Sequence, residues 1–151
     1  MCRDVLVPRR CLRRGRGILS VRLILDTNVF VGAGFNPRSA SARLIAAARE
    51  GGLILVWAEE TRAETRRILE KIPPLDWPAA APLFTEAGRF DGPLDLAAMQ
   101  AVPDPEDRKF AALSAAADVP VVSSDSDLLD VRGVIGAVVL TPGEAAKKAG
   151  L

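Results

Sequence analysis

The feature that most constrains the fold of this chain is the alternation of short, solid apolar runs with segments of helical spacing. The first run is Val21–Leu25, and the others cover residues 53–57, 119–122 and 137–140. Solid apolar runs of this length are typical of strands that are buried on both faces of a parallel sheet. The alternation therefore predicts an α/β fold of three layers (α/β/α), with a central, mostly parallel sheet between two layers of helices.

Helices are predicted between and after these runs. Segment 39–49 has its mostly apolar residues three and four positions apart, as on one face of a helix, and a glycine pair follows it. Segment 59–72 is the next predicted helix, and Pro73 ends it. Residues 92–102 have no clear pattern and are interpreted as a connector. The remaining predicted helices are 76–90, 104–118, 127–131 and 142–149.

The chain of 151 residues has the length of one folded domain, but its charge is unevenly distributed. Residues 1–20 contain six arginines and one aspartate, which gives them a net charge of +5. Because the whole chain carries +1, residues 21–151 carry −4. We interpret residues 1–20 as a disordered basic leader or a mis-called start, with a phosphate-binding arm as the alternative, and residues 21–151 as the domain.

Several classes of protein are excluded by residue types that the sequence lacks. There is no histidine, which excludes serine–histidine triads and zinc sites that need histidine. Both cysteines, Cys2 and Cys11, lie in residues 1–20, so the domain has no thiolate zinc site. A domain without cysteine is compatible with a reducing compartment, and we expect a cytoplasmic location. No apolar run approaches the roughly 20 residues that cross a bilayer, so a membrane is not expected as a partner.

Two of the apolar runs are followed by an aspartate. Asp26 comes directly after the first run, and Asp125 comes two serines after the third. If these two strands are neighbours, both carboxylates lie at the edge of the sheet where ligands bind in parallel α/β folds. The alternative is that each aspartate only caps the helix that follows it.

Glu64 is the third candidate acid, at the border of the apolar stripe of helix 59–72. Facing inward, its carboxylate would need a partner or a metal ion. The alternative is a surface ion pair with Arg67, one helical turn further on.

Asp107 is the fourth candidate acid. Asp104 and Pro105 have the pattern of a helix start, and this cap accounts for Asp104 fully. A helix start accounts for Asp107 only in part, because Asp107 also lies one turn before Phe110 on the face that is expected to meet the sheet.

Four carboxylates at one edge of a sheet would repel one another. Two like charges at about 4 Å cost roughly 4 kcal/mol at an effective dielectric constant near 20. A shared proton or a divalent cation would relieve this repulsion, and an all-oxygen site without histidine or thiolate suits Mg²⁺ or Mn²⁺. Such ions activate water and neutralise the charge of a phosphodiester transition state.

Five segments resemble, in the same order, the motifs of the PIN-domain ribonuclease family. Each motif is weak alone, but the series spans the whole of residues 21–151. The segments are LDTNVFV at 25–31, WAEETRAE at 57–64 with RIL at 67–69, VPDPED at 102–107, VVSSDSDLL at 121–129 and LTPGEA at 140–145.

This resemblance implies a PIN-like domain with Mg²⁺- or Mn²⁺-dependent endoribonuclease activity, similar to the VapC-like toxins of type II toxin–antitoxin modules. It implies RNA as the substrate, a cognate antitoxin protein as a partner and a homodimer. We expect the apolar surface near Leu44 and Leu83 to serve one of these protein interfaces. The residues implied as catalytic and metal-binding are Asp26, Glu64, Asp107 and Asp125, with Asn28, Ser123 and Asp127 in supporting roles.

Two alternatives stay open. One is a catalytically silent PIN-like module that binds RNA or protein, and the other is an aspartate-based phosphatase. The phosphatase needs a second acid two residues after Asp26, where this chain has Asn28. The candidate contacts to substrate phosphates are Arg38, Arg43, Arg62, Arg66, Arg108 and Lys109.

Overall fold

The computed structural model describes residues 21–151. The interpretation of residues 1–20 as a leader, a mis-called start or a phosphate-binding arm therefore concerns a segment outside the described residues. Within residues 21–151, none of the helices combines the length and the hydropathy that a bilayer-crossing segment needs.

One parallel sheet organises the described residues. Its four strands lie in the order β2-β1-β3-β4, and every neighbouring pair is parallel. Ile24 pairs with Val121, and Val121 pairs in turn with Val139. The predicted parallel sheet is therefore confirmed, and the strands that precede Asp26 and Asp125 are neighbours. The strands are β1 Val21–Leu25, β2 Leu53–Leu55, β3 Val121–Val122 and β4 Val139–Leu140.

The helices of the described residues connect and cover these strands. Three strands are shorter than the apolar runs that predicted them, and in the third run Pro120 has no N–H to donate to a ladder. The helices are α1 Thr27–Phe35, α2 Ala40–Arg49, α3 Glu59–Lys71, α4 Trp77–Ala80, α5 Arg108–Ala117, α6 Ser126–Leu129 and α7 Pro142–Lys148. Short 3₁₀ turns cover Ala81–Leu83, Glu86–Gly88, Leu96–Met99 and Pro105–Asp107.

Side chains of β1 alternate between two hydrophobic cores. Leu23 and Leu25 belong to a core with residues of α1, α2, α3, α4 and α7. Ile24 belongs to a second core with residues of α5 and α6. Because successive residues of a strand point to opposite faces, the sheet is buried on both sides, and the predicted three-layer architecture is confirmed.

Helix α1 was not indicated by the sequence pattern. Its residues include Val29, Phe30 and two glycines, which are weak helix formers. Burial of Val29 and Phe30 in the first core stabilises the helix instead. The glycine at position 34 allows close packing, since a Cβ atom there would clash with the side chain of Leu75.

The helix predicted over 76–90 is wrong. Only Trp77–Ala80 is α-helical, and the 3₁₀ turns Ala81–Leu83 and Glu86–Gly88 follow it. Pro82 lies in the interior of the predicted helix, where it cannot donate the required hydrogen bond. Phe84 instead packs against Phe30 and other aromatic rings, with the two phenyl centres 5.9 Å apart.

The expected apolar contact surface near Leu44 and Leu83 is also wrong. Leu44 is completely buried and Leu83 is nearly so, because both side chains belong to the first core. Among residues 21–151, the large apolar side chains that are exposed lie elsewhere: Phe35, Leu96, Val134, Val138 and Leu151.

Candidate metal centre

Asp26 follows the last residue of β1 and is the N-cap of α1. Both oxygens of its carboxylate accept hydrogen bonds. Oδ1 accepts a hydrogen bond from the N–H of Thr27 at 2.6 Å. Oδ2 accepts from Ser123 Oγ at 2.8 Å and from Asn28 Nδ2 at 3.3 Å. The residue is only 3% exposed. Asp26 therefore combines the two interpretations that its sequence position allowed, a helix cap and a carboxylate at the edge of the sheet.

Ser123 connects the loop after β3 to Asp26. Its buried Oγ donates to Asp26 and accepts from the N–H of Asp125 at 3.0 Å. Asn28 adds a second connection, because its Oδ1 accepts from the N–H of Ser124 at 3.3 Å. These bonds fix the two strand ends relative to each other.

Asp125 is the N-cap of α6. Its Oδ1 accepts from the N–H of Asp127 at 2.9 Å. Asp125, like Asp26, therefore both caps a helix and lines the cleft.

Glu64 reaches the same region from α3. Thr65 fixes this helix against α1, since its Oγ1 lies 3.0 Å from Oγ1 of Thr27. The side chain of Glu64 is 10% exposed and forms an ion pair with Arg67 at 2.8 Å. Lys109 Nζ lies 3.6 Å from the same carboxylate. The inward position and the pair with Arg67, which were alternatives in the sequence, are both present.

Asp107 ends the 3₁₀ turn before α5 and is only 8% exposed. Its Oδ2 is buried and has no hydrogen-bond partner among the described residues. Asp104 caps the same turn, accepting from the N–H of Glu106 at 2.9 Å, so the predicted cap is confirmed.

All four predicted acids line one cleft of about 160 Å³. Of the supporting residues, Asn28 lines it as well, whereas Ser123 is buried behind Asp26. Asp127 lies to one side, where its carboxylate is close to those of Asp104 and Asp107. The cleft is lined by Asp26, Thr27, Asn28, Val31, Glu64, Ile68, Asp107, Phe110 and Asp125.

The cleft disfavours negative charge. Burial, with smaller contributions from the charges of Asp125 and Glu64, raises the pKa of Asp26 to about 6 against the lowering effect of the hydrogen bonds from Ser123 and Thr27. Burial also raises the pKa of Asp107 to about 8, with further contributions from the charges of Asp26 and Asp125. Both carboxyls therefore have a strong electrostatic reason to hold a proton or to bind a cation.

This donor set fits a hard divalent cation. Every candidate ligand is a carboxylate, one buried carboxylate oxygen lacks a partner, and the groups repel one another when ionised. Asp26, Asp107 and Asp125, with Glu64 at the border of the cleft, are the residues that would hold Mg²⁺ or Mn²⁺.

The candidate phosphate contacts have different surroundings. Arg62 and Arg66 stack on Trp77, with guanidinium carbons 5.2 and 5.9 Å from the ring centre. Arg108 donates to the carbonyl of Val102 at 2.8 Å.

Two cations, Lys109 and Arg67, pair with Glu64, which lines the cleft. Arg67 was considered in the sequence only as half of a surface pair. Its spacing of three residues from Glu64 was the signal that could have indicated a position beside the cleft.

The fold and the cleft together define a class: α/β proteins with an acidic pocket at the carboxyl ends of the two central strands of a parallel sheet. Residues 22–126 match the PIN domain family, and the chain belongs to that family.

Solved structures have a similar fold. The crystal structure of VapBC2 from Rickettsia felis, bound to a DNA fragment from their promoter, matches at 12% identity and a TM-score of 0.53, over 80% of this chain and 98% of that one. PAE2754 from Pyrobaculum aerophilum matches at 14% identity and a TM-score of 0.53, over 87% and 98% of the two chains. No curated protein sequence matches this chain.

The raised pKa of Asp107 predicts a specific pH dependence of stability. Between about pH 4 and pH 8 the unfolded carboxyl ionises while the folded one keeps its proton, so the metal-free protein loses stability as the pH rises. Asp107→Asn removes this titration. In urea denaturation with chelator, the variant should gain stability over the parent progressively from pH 5 to pH 8.

The exposed Asp130 provides the matched control, because Asp130→Asn removes a carboxylate from the end of α6 outside the cleft. This control should follow the parent at every pH. A stability difference between Asp107→Asn and the parent that does not change with pH would contradict the electrostatic description of the cleft.

Proposed function

We propose that this protein is a divalent-cation-dependent endoribonuclease and the toxin of a type II toxin–antitoxin pair. The observation that carries the proposal is the convergence of Asp26, Glu64, Asp107 and Asp125 on one cleft. Membership of the PIN domain family supports the nuclease. The likeness of the fold to the Rickettsia felis VapBC2 structure supports the toxin role.

Each residue of the cleft has a distinct task in this proposal. Asp26, Asp107 and Asp125 hold the cation, and Ser123 and Asn28 orient the carboxylate of Asp26 through their hydrogen bonds to Oδ2. A bound Mg²⁺ or Mn²⁺ supplies Lewis-acid chemistry for phosphodiester hydrolysis.

Arg67 and Lys109 reduce the negative charge on Glu64 and present cations at the border of the cleft. They are the cations best placed for the phosphates of an RNA strand that enters it. The net charge of −4 on residues 21–151 makes such local cations necessary for binding a polyanion.

The phosphatase alternative is disfavoured by Asn28. At the position that needs a general acid, this residue offers an amide, which donates to Asp26 Oδ2 and accepts from the N–H of Ser124. A side chain committed to these two bonds positions Asp26 and has no proton to transfer at neutral pH.

The nuclease is tested by replacing Asp26. Asp26→Asn retains the size of the side chain and an oxygen for the capping bond, but removes a charged ligand. We expect the parent to cleave single-stranded RNA only with Mg²⁺ or Mn²⁺, and the variant to lose at least 100-fold in rate while its circular dichroism spectrum is unchanged.

Asp130→Asn again serves as the control and should cleave at the parent rate. Cleavage that survives chelator, or an Asp26→Asn variant as active as the parent, would contradict the proposed mechanism. A parent that binds RNA without cutting it would favour the silent binding module.

The toxin role predicts a protein partner. An inhibitor of this acidic cleft should present arginine or lysine toward Asp26 and Asp125, where a guanidinium forms bidentate bonds with a carboxylate. Co-expression with the product of an adjacent small gene should give a stable complex, and expression of the chain alone should arrest growth. A chain that binds no such product and leaves growth unchanged would contradict the toxin role but not the nuclease.

Gel filtration of the purified chain tests the proposed homodimer.

A further inference from the structure

The last residue of α1 presents an aromatic ring to solvent. Residues 21–151 contain five phenylalanines and two tryptophans, and only Phe35 among them is exposed, at 58%. The other six aromatic side chains are buried or half-buried. One exposed apolar residue is ordinary on a protein surface, so the surroundings of this ring decide what it can do.

Phe35 lies on the side of α1 that lines the acidic cleft. Asn28 and Val31 both line that cleft. Phe35 follows Val31 by four positions and Asn28 by seven, which is about two helical turns, so the three residues share one face of the helix. The helical rise places Phe35 about 10 Å beyond Asn28 along the axis. A strand that leaves the cleft along this face therefore reaches the ring.

Two arginines without acidic partners lie next in the chain. Arg38 and Arg43 are both exposed, and Nη1 of Arg43 lies 3.4 Å from the carbonyl oxygen of Arg38. Among the described residues, neither arginine forms an ion pair. Helix α1 itself carries no charged side chain. This end of α1 thus offers positive charge to a polyanion, in contrast to the acidic cleft.

Side-chain hydrogen bonds fix the connector that carries these groups. The N–H of Asn36 donates to the carbonyl of Gly32 at 2.9 Å, and Asn36 Oδ1 accepts from the N–H of Arg38 at 3.1 Å. Ser39 Oγ donates to the carbonyl of Asn36 at 2.8 Å and caps α2 by accepting from the N–H of Ala42 at 3.1 Å. The backbone from the ring to α2 is therefore ordered before any ligand binds, which reduces the entropy lost on binding.

We propose that Phe35, Arg38 and Arg43 form a patch that binds single-stranded RNA beyond the scissile position. The phenyl ring stacks on a nucleobase, and the two arginines contact phosphates. The proposal rests on the proposed function, since it takes RNA as the substrate, and it makes Phe35 a positioning residue for the strand in the cleft. Because a phenyl ring stacks on any base and the base faces of a duplex are covered, the patch selects unpaired RNA without selecting a base.

Binding of a fluorescent single-stranded oligoribonucleotide, measured by anisotropy in chelator, tests the patch separately from cleavage. Phe35→Leu should bind roughly 10-fold more weakly than the parent, because it removes the stacking of one base. Phe35→Trp retains an aromatic face and should bind at least as tightly as the parent. Leu96→Ala removes an exposed apolar side chain outside the patch and is the matched control, with the affinity of the parent.

A strand of abasic residues with the same number of phosphates separates the ring from the arginines. On this strand Phe35→Leu should bind as tightly as the parent. On either strand Arg38→Gln and Arg43→Gln should each reduce the slope of log affinity against log salt concentration by roughly 0.7, the value for one phosphate contact on a single strand. Lys148→Gln removes an exposed cation from α7 and should leave the slope unchanged.

The outcomes distinguish this patch from the nuclease. A parent that shows these dependences but does not cut RNA with Mg²⁺ would contradict the nuclease and support the patch. Phe35→Leu with the affinity of the parent for the base-bearing strand, or arginine variants with the slope of the parent, would overturn the patch and favour a protein partner at this surface. Circular dichroism identifies any variant that does not fold, and the arginine variants test the patch independently of position 35.

Discussion

Repulsion among carboxylates that the backbone brings together is the constraint on which the rest of this structure depends. Asp26 and Asp125 follow adjacent parallel strands, so the register of the sheet fixes their separation, and Asp107 and Glu64 approach from two helical segments. The apolar cores on both faces of the sheet hold these elements in place. The stability of those cores is what allows a cleft with such unfavourable charge to exist.

Local hydrogen bonds offset part of the repulsion among the carboxylates of the cleft. Asp26 and Asp125 each cap a helix, so the same N–H groups that begin α1 and α6 stabilise negative charge at the cleft. Ser123 joins the two caps, since it donates to Asp26 and accepts from the N–H of Asp125. Capping a helix and lining the cleft therefore occur in the same residues here, although the sequence presents a cap and a site residue as alternatives. Asp107 has no comparable compensation, and this explains why its carboxyl has the more strongly raised pKa.

The sequence correctly predicted the strands and helices in which the pattern of apolar residues matches the pattern of buried residues. The nearly continuous apolar run of β1, interrupted by Arg22, predicted a strand buried on both faces, and its position placed Asp26 at the edge of the sheet. Helix α1 escaped prediction because its stability comes from tertiary burial of Val29 and Phe30. The prediction of one helix over 76–90 was wrong because Pro82 interrupts that segment. The proximity of Asp104 to Asp127 depends on how two loops meet in space, which no local pattern records.

The central claim is that the four carboxylates form one cation-binding cleft at the ends of β1 and β3. The most direct test is anomalous diffraction at the manganese edge from crystals of the full chain soaked in Mn²⁺. The account predicts an anomalous peak within bonding distance of Asp26, Asp107 and Asp125, and loss of that peak in Asp26→Asn crystals soaked in the same way. A well-ordered cleft without a peak, or a peak that persists in the variant, would contradict the account.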